Sequence, residues 1–246
     1  MIKPLAVCAL KLDHITIYLL IYRYSVEFYF KAVRIYIRIP IFDFRTIFTG
    51  NLLMRDQIVR QAFHKTILKS AHDDAETFVV DELGLKNGEI RADIAVLNGK
   101  LVGYEIKTEN DTLARLPSQV EAYSEVFDKA FIIVSQNHLD KAVESIPDWW
   151  GVYTIASTDN KYTFPCIRKA KINKKQSSFS LAQLLWKSEA LEVANVLLRH
   201  NIKPKTTKHE VYDVISSTCS SRKLSKIVIK YLKQRENWRT NRIQPL

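Results

Sequence analysis

Glycine is scarce in this chain of 246 residues: there are six, none grouped into a loop that could cradle phosphate. The sequence therefore does not read as an intrinsic ATPase. Cysteine is scarcer still. Cys8, Cys166 and Cys219 lie far apart with no CxxC pair. That argues against a disulfide framework or a zinc site and fits a reducing cytoplasm, with each thiol read as a small buried hydrophobe. The six histidines form no HxxxH or similar cluster, so His64, His72 and His138 read as surface or core residues rather than ligands. Long apolar runs are missing too. Ile15–Tyr22 is interrupted by Arg23, well short of the roughly 20 residues a membrane-spanning helix needs. No small-residue cleavage site follows it, so neither a membrane protein nor a secretory signal is expected.

What is present is an ordinary globular composition, 47% hydrophobic and 26% charged, at a length that allows one main domain and a smaller appendage. The net charge of +11 is unevenly placed. Residues 1–53 carry seven basic and three acidic groups (+4), residues 54–165 twelve and eighteen (−6), and residues 166–246 eighteen and five (+13). A carboxylate-rich middle followed by a cationic tail suits a metal site beside a polyanion clamp; a merely solvated basic tail is the alternative.

Residues 1–53 hold ten of the 26 aromatics and few acids. They read as an interfacial anchor, an extra β-rich subdomain, or an extension upstream of a true start at Met54. The last is favoured, because a patterned helix begins directly after Met54. That helix spans about Arg55 to Lys69, with Ile58, Ala62, Ile67 and Leu68 marking its apolar face. Strands are expected at Thr77–Leu83, Ile90–Leu97 and Leu101–Lys107, the last two joined at Asn98-Gly99, a strong hairpin signal. A helix at Leu116–Phe127, a buried strand at Ala130–Ser135 and a helix at His138–Ser145 follow. Further strands are expected at Gly151–Ala156 and Tyr162–Ile167. Lys169–Ser178 reads as a Lys-rich linker. Beyond it come helices at Leu181–Arg199, His209–Ser217 and Leu224–Arg235. The expected organisation is an α/β core over 54–168 and a basic helical module over 179–246.

One group of residues carries chemistry. Glu105 and Lys107 lie two apart on a strand and so share a face. Alone, Glu-X-Lys is no more than a half-exposed strand with its polar residues outward. Asp93, however, interrupts the apolar strand Ala92–Val96, where aspartate is normally depleted. The hairpin brings Asp93 alongside Glu105, and Gln119 and Tyr123 share one face of the next helix at i,i+4 spacing. Two carboxylates with the Ile106 carbonyl suit Mg²⁺ or Mn²⁺, which prefer oxygen ligands, and the Lys107 ammonium can orient a water and stabilise developing negative charge. Parity sets a condition on this site. A strict two-residue turn pairs residues whose numbers sum to 197, which puts Asp93 opposite Tyr104 and turns Glu105 to the other face. The site therefore requires a three-residue turn or a bulge between residues 93 and 105.

The segment "RADIAVLNGKLVGYEIKTENDTL" resembles the Asp…Glu-X-Lys core of the PD-(D/E)XK nuclease superfamily, and "QVEAY" resembles the Gln-X-X-X-Tyr element of its RecB-like members. A longer run over about residues 54–200 resembles an uncharacterised bacterial and phage family placed in that superfamily. The resemblance implies a restriction-endonuclease-like fold, a mixed central sheet flanked by helices. It implies Asp93 and Glu105 as metal ligands, Lys107 as catalytic, and Gln119 and Tyr123 as supporting the site or contacting substrate. Glu82 in "VVDEL" matches an early acidic position as an outer ligand, with Asp81 as its competitor. Ala92-Asp93 stands where the name-giving motif has Pro-Asp.

Arg91 and Arg115 are read as phosphate contacts or as surface ion pairs. Trp149-Trp150 is read as a stacking surface for bases or, in preference, as structural packing. A helix-turn-helix-like arrangement over 209–235 is considered without a decisive signature. The leading expectation is a Mg²⁺-dependent nuclease acting on DNA in the cytoplasm. The alternatives are a non-catalytic nucleic-acid-binding or regulatory protein that keeps the fold, and an accessory subunit of a defence or repair system.

Overall fold

Alternation of β-branched residues and periodic helical faces place the elements of a layered α/β protein. The computed structural model describes residues 6–12, 15–21, 25–30, 35–40, 56–158 and 161–235, the first four segments as backbone only. Met54 lies outside the described residues. Met1–Ile58 and Val59–Leu246 are two separate compact units.

In the first unit, β1 (Ala6–Leu12), β2 (Ile15–Ile21), β3 (Ser25–Phe30) and β4 (Ile35–Pro40) form a four-stranded antiparallel sheet in sequence order.

The second unit is built on a mixed seven-stranded sheet. Its strands are β5 (Phe78–Leu85), β6 (Ile90–Leu97), β7 (Leu101–Lys107), β8 (Lys129–Ser135), β9 (Gly151–Thr158), β10 (Lys161–Thr163) and β11 (Cys166–Arg168). Their order is β10-β9-β8-β7-β6-β5, with β11 also on β9. Strands β5–β7 are an antiparallel meander, β7–β8–β9 run parallel, and β10 and β11 return antiparallel. The single strand expected over Tyr162–Ile167 is two strands, interrupted at Phe164-Pro165, where proline cannot donate to a ladder.

Helix α1 (residues 56–66) and the short α2 (Lys69–Asp73) cover one face, over Val79, Ile94, Val96, Tyr104 and Ile106. The buried stripe of α1 is not the one expected. Val59 and Phe63 are buried and Ile58 is 44% exposed. The i,i+4 pair Val59/Phe63 outweighs the looser Ile58/Ala62 pattern because Phe63 packs edge-on against Tyr104, Tyr153 and Phe164.

Helices α3 (Leu116–Val126), α4 (Leu139–Ser145), α5 (Ser178–Ala182), α6 (Lys187–Leu198), α7 (Lys208–Thr218) and α8 (Ser221–Gln234) lie on the other face. The C-terminal helices are not a separate module. Leu181, Tyr212, Ile215 and Val228 are buried in the same core as Val80, Leu97, Tyr123 and Ile132. The helix expected over Leu181–Arg199 is broken around Trp186, where the Trp186 amide donates to Glu189 Oε2 (2.7 Å) and starts α6 afresh.

The expected linker also has a structural task. Asn173 Nδ2 donates to the carbonyls of Ser124 (2.6 Å) and Phe127 (2.9 Å), and Gln176 Nε2 to that of Val126 (2.7 Å). The Ser177 amide donates to the Glu125 carbonyl (2.8 Å). The strap thus satisfies the carbonyls that the end of α3 leaves without helical partners. No helix among the described residues is long and apolar enough to cross a membrane.

Candidate active site

The β6–β7 pairing runs Leu97↔Leu101, Val96↔Val102, Ala95↔Gly103 and Ile94↔Tyr104, so paired numbers sum to 198. The turn is three residues, Asn98–Lys100, closed by the Asn98 amide on the Lys100 carbonyl (3.2 Å) with Gly99 at φ +63°. The longer turn that parity requires is present: continued past Ile94↔Tyr104, this register brings Asp93 opposite Glu105, not Tyr104. On the other side, β5 pairs Asp81↔Ile94 and Leu83↔Ala92, which puts Glu82 opposite Asp93. Glu82, Asp93 and Glu105 therefore form one transverse row across three strands.

The ladder opens at this row. Glu82 adopts φ +57°, a left-handed conformation that costs a non-glycine residue about 1–3 kcal/mol. At the continuation of the 198 register the Ile106 amide would meet the Ala92 carbonyl; it donates instead to Asp93 Oδ2 (2.7 Å). The irregularity also separates two acidic neighbours. Asp81 bonds His64 of α1, while Glu82 bonds Arg60 of the same helix.

Glu105 is buried at 1% exposure and Lys107 at 4%. Glu105 Oε1 accepts from Lys107 Nζ (2.6 Å) and Gln119 Nε2 (2.5 Å), and Oε2 accepts from the Tyr123 hydroxyl (2.6 Å). Gln119 and Tyr123 thus meet Glu105 from one face of α3. Tyr123 is fully buried, its ring against Trp150 at 5.1 Å and Phe127 at 4.9 Å. Trp150 is therefore core packing, as preferred. Two buried side-chain atoms among the described residues have no hydrogen-bond partner, Gln119 Oε1 and Trp150 Nε1. The first gives the site a spare acceptor beside Glu105.

Arg60 of α1 completes the row. Its guanidinium reaches Glu82 Oε1 (2.6 Å) and Asp93 Oδ1 (3.1 Å). The Asp93 side chain is largely buried yet keeps 20% exposure. Burial, followed by the negative charge of Glu105, pushes the Asp93 carboxyl well above the usual range, although Arg60 and the Ile106 amide oppose the shift. Burial raises Glu105 as well, against the pull of Lys107, Tyr123 and Gln119. Burial and the Glu105 charge raise the Tyr123 phenol. Two carboxylates disfavoured as anions, with a buried ammonium beside them, form a perturbed cluster of the kind concentrated at functional sites.

Among the described residues no group of three or more His, Cys, Asp or Glu side chains converges on one point. The donor set nevertheless fits a hard divalent cation. Mg²⁺ is ordinarily held by one or two carboxylates rather than a full protein cage, and Asp93, Glu105 and the Ile106 carbonyl supply oxygen only. Arg115 is exposed at the N-terminus of α3, and Arg91 is exposed at the far end of β6.

Sequence reasoning missed Arg60, whose place beside Val59 looks like any charge on a helix rim. It also missed a second polar chain beside α1. There, buried His64 lies 3.0 Å from Asp81 Oδ1 through Nε2 and 2.9 Å from His72 Nε2 through Nδ1. The only available signal was a buried-strand pattern interrupted by Asp81.

Protein cII of Enterobacteria phage P4 is 26% identical over 190 residues, covering 77% of this chain and 70% of that protein. No solved structure matches. Residues 53–243, which contain the whole row together with Arg60, Lys107, Gln119 and Tyr123, match the family described as Bacteriophage P4 protein cII, and the chain belongs to that family.

Proposed function

We propose that this protein is a metal-dependent nuclease hydrolysing DNA phosphodiester bonds, with a restriction-endonuclease-like core. The family name does not itself speak of cleavage, so the reading rests on the residues. The observation that carries it is the three-residue turn, whose register, continued past Ile94↔Tyr104, brings Asp93 opposite Glu105, two residues from Lys107.

Asp93, Glu105 and the Ile106 carbonyl would hold Mg²⁺ or Mn²⁺, with Glu82 as an outer group. A cation bound there supplies charge neutralisation on the phosphate and a lowered pKa for the attacking water. Lys107, buried and 2.6 Å from Glu105, orients that water through its ammonium protons and stabilises negative charge as it develops. Gln119 and Tyr123 are positioning residues. They fix the Glu105 carboxylate from α3, and the spare Gln119 Oε1 is free to accept a hydrogen bond from a group entering the site.

The test is incubation of the full chain with single-stranded, duplex and branched DNA and with RNA, in Mg²⁺ and in Mn²⁺. Metal-dependent cleavage is expected, reduced at least about 100-fold by Glu105→Ala and by Lys107→Ala. Cleavage that survives both substitutions overturns the assignment.

A second reading, a nucleic-acid-binding protein that keeps the fold without cleaving, is favoured by one observation. The Arg60 guanidinium already bridges Glu82 and Asp93, where a cation would otherwise compensate their charge. Tight binding with no cleavage in either metal would select it.

A further inference from the structure

Beside the carboxylate row lies a cavity of about 430 Å³, within the size range of sites that hold a single small molecule. The β5–β6 connection forms one wall, from Glu82 to Arg91, and Gln183 to Trp186 form the other, with Lys208 and Arg235. Its inner end borders the row directly, because Glu82 lines it and shares Arg60 with Asp93. Gly84 and Gly88 leave part of the β5–β6 wall bare of side chains, and a Cβ placed on Gly88 would meet nothing within 4 Å.

Three side chains give the cavity its chemistry. Arg91 and Lys208 are exposed cations that line it, the Lys208 ammonium reaching across to Asn87 Oδ1 (3.4 Å). Trp186 is 50% exposed but held in place. The Arg235 guanidinium stacks on its ring at 4.3 Å, fixed in turn by Glu189 (2.5 and 2.8 Å) and the Leu184 carbonyl (2.8 Å). A single exposed aromatic needs no explanation by itself. An oriented indole in a cavity that two exposed cations also line, next to a site for phosphodiester chemistry, is a combination suited to a nucleotide: aromatic faces stack bases and cations hold phosphate.

We propose that this cavity holds one nucleotide of a single strand leading to the carboxylate row, its base against Trp186 and its phosphate between Arg91 and Lys208. The inference rests on the nucleic-acid reading above and adds to it the path of the strand and a demand for an unpaired base.

The test is binding of the full chain, without divalent metal, to fluorescein-labelled oligo-thymidylate and to an abasic strand of equal length, over a range of salt. Arg91→Gln and Lys208→Gln should weaken both strands and each lower the salt slope by about one. Trp186→Leu, which keeps bulk without an aromatic face, should weaken oligo-thymidylate about tenfold and leave the abasic strand within about twofold, while Trp186→Phe restores binding.

Equal loss on both strands with Trp186→Leu, or normal affinity and salt slope in both charge variants, overturns the proposal. Cleavage with unaltered binding in all the variants sinks the cavity alone. Loss of binding in the variants without cleavage in any metal supports the cavity and sinks the nuclease reading. Failure of the full chain to bind either strand sinks both.

Discussion

Two polar clusters meet on β5, one residue apart in sequence, and α1 reaches both, through His64 and through Arg60. Asp81, His64 and His72 form a closed chain in which each group is hydrogen-bonded to the next, with His64 and Asp81 almost wholly buried. Glu82, Asp93 and Glu105 form an open row. It holds like charges, Asp93 and Glu82 remain partly exposed, and it is compensated by Arg60 and Lys107 rather than neutralised within itself. The closed cluster ties α1 to the sheet and spends its polarity on folding. The open one costs stability, in a left-handed Glu82 and two buried carboxylates disfavoured as anions. Costs of that kind persist where a site is kept ready for something other than folding.

Breaking the closed cluster should give the largest loss of stability. Asp81→Ala leaves His64 buried without its carboxylate and is expected to cost about 3 kcal/mol in urea unfolding. Metal-dependent cleavage by the folded fraction should be unchanged. In the open cluster, Tyr123→Phe removes one donor from Glu105 Oε2 and should cost about 1–2 kcal/mol, with slower cleavage at unchanged substrate binding.

The two clusters should also answer pH with opposite signs. Asp93 holds its proton more tightly folded than unfolded. Its contribution is therefore full below the ordinary value of 3.8 and is lost as pH rises through the elevated one. Unfolding free energy measured from about pH 4 upward should fall less steeply in Asp93→Asn than in the parent chain. His72 is the reverse and the smallest effect. Burial, then the neighbouring His64, lowers its pKa. Its contribution is thus present above 6.5 and is lost as pH falls toward the depressed value. His72→Gln should flatten the stability profile just below pH 6.5.

This contrast also explains what could be read in advance. Strands β6 and β7 were legible residue by residue because alternation and Asn98-Gly99 agree, and Asp93 announced itself as an aspartate in an apolar strand. Parity arithmetic turned that into a demand for a longer turn, which the backbone meets. Arg60, by contrast, gains its meaning from carboxylates 22 and 33 residues away, a separation no local pattern records. The closed cluster was hidden for the same reason, since His64 and Asp81 are ordinary residues until the sheet brings them together. The strap over residues 169–178 misled through composition. Its exposed lysines read as a linker, while Asn173, Gln176 and Ser177 among them bond the end of α3.

The central claim is that the open row trades stability for chemistry, and Asp93→Asn tests it most directly. The substitution relieves the repulsion with Glu105 while Arg60 keeps Glu82 as a partner. Thermal unfolding and Mg²⁺-dependent cleavage should be measured on the same preparation. The account predicts a gain of about 1 kcal/mol in stability at neutral pH together with loss of cleavage. A variant that is less stable and still cleaves would contradict it.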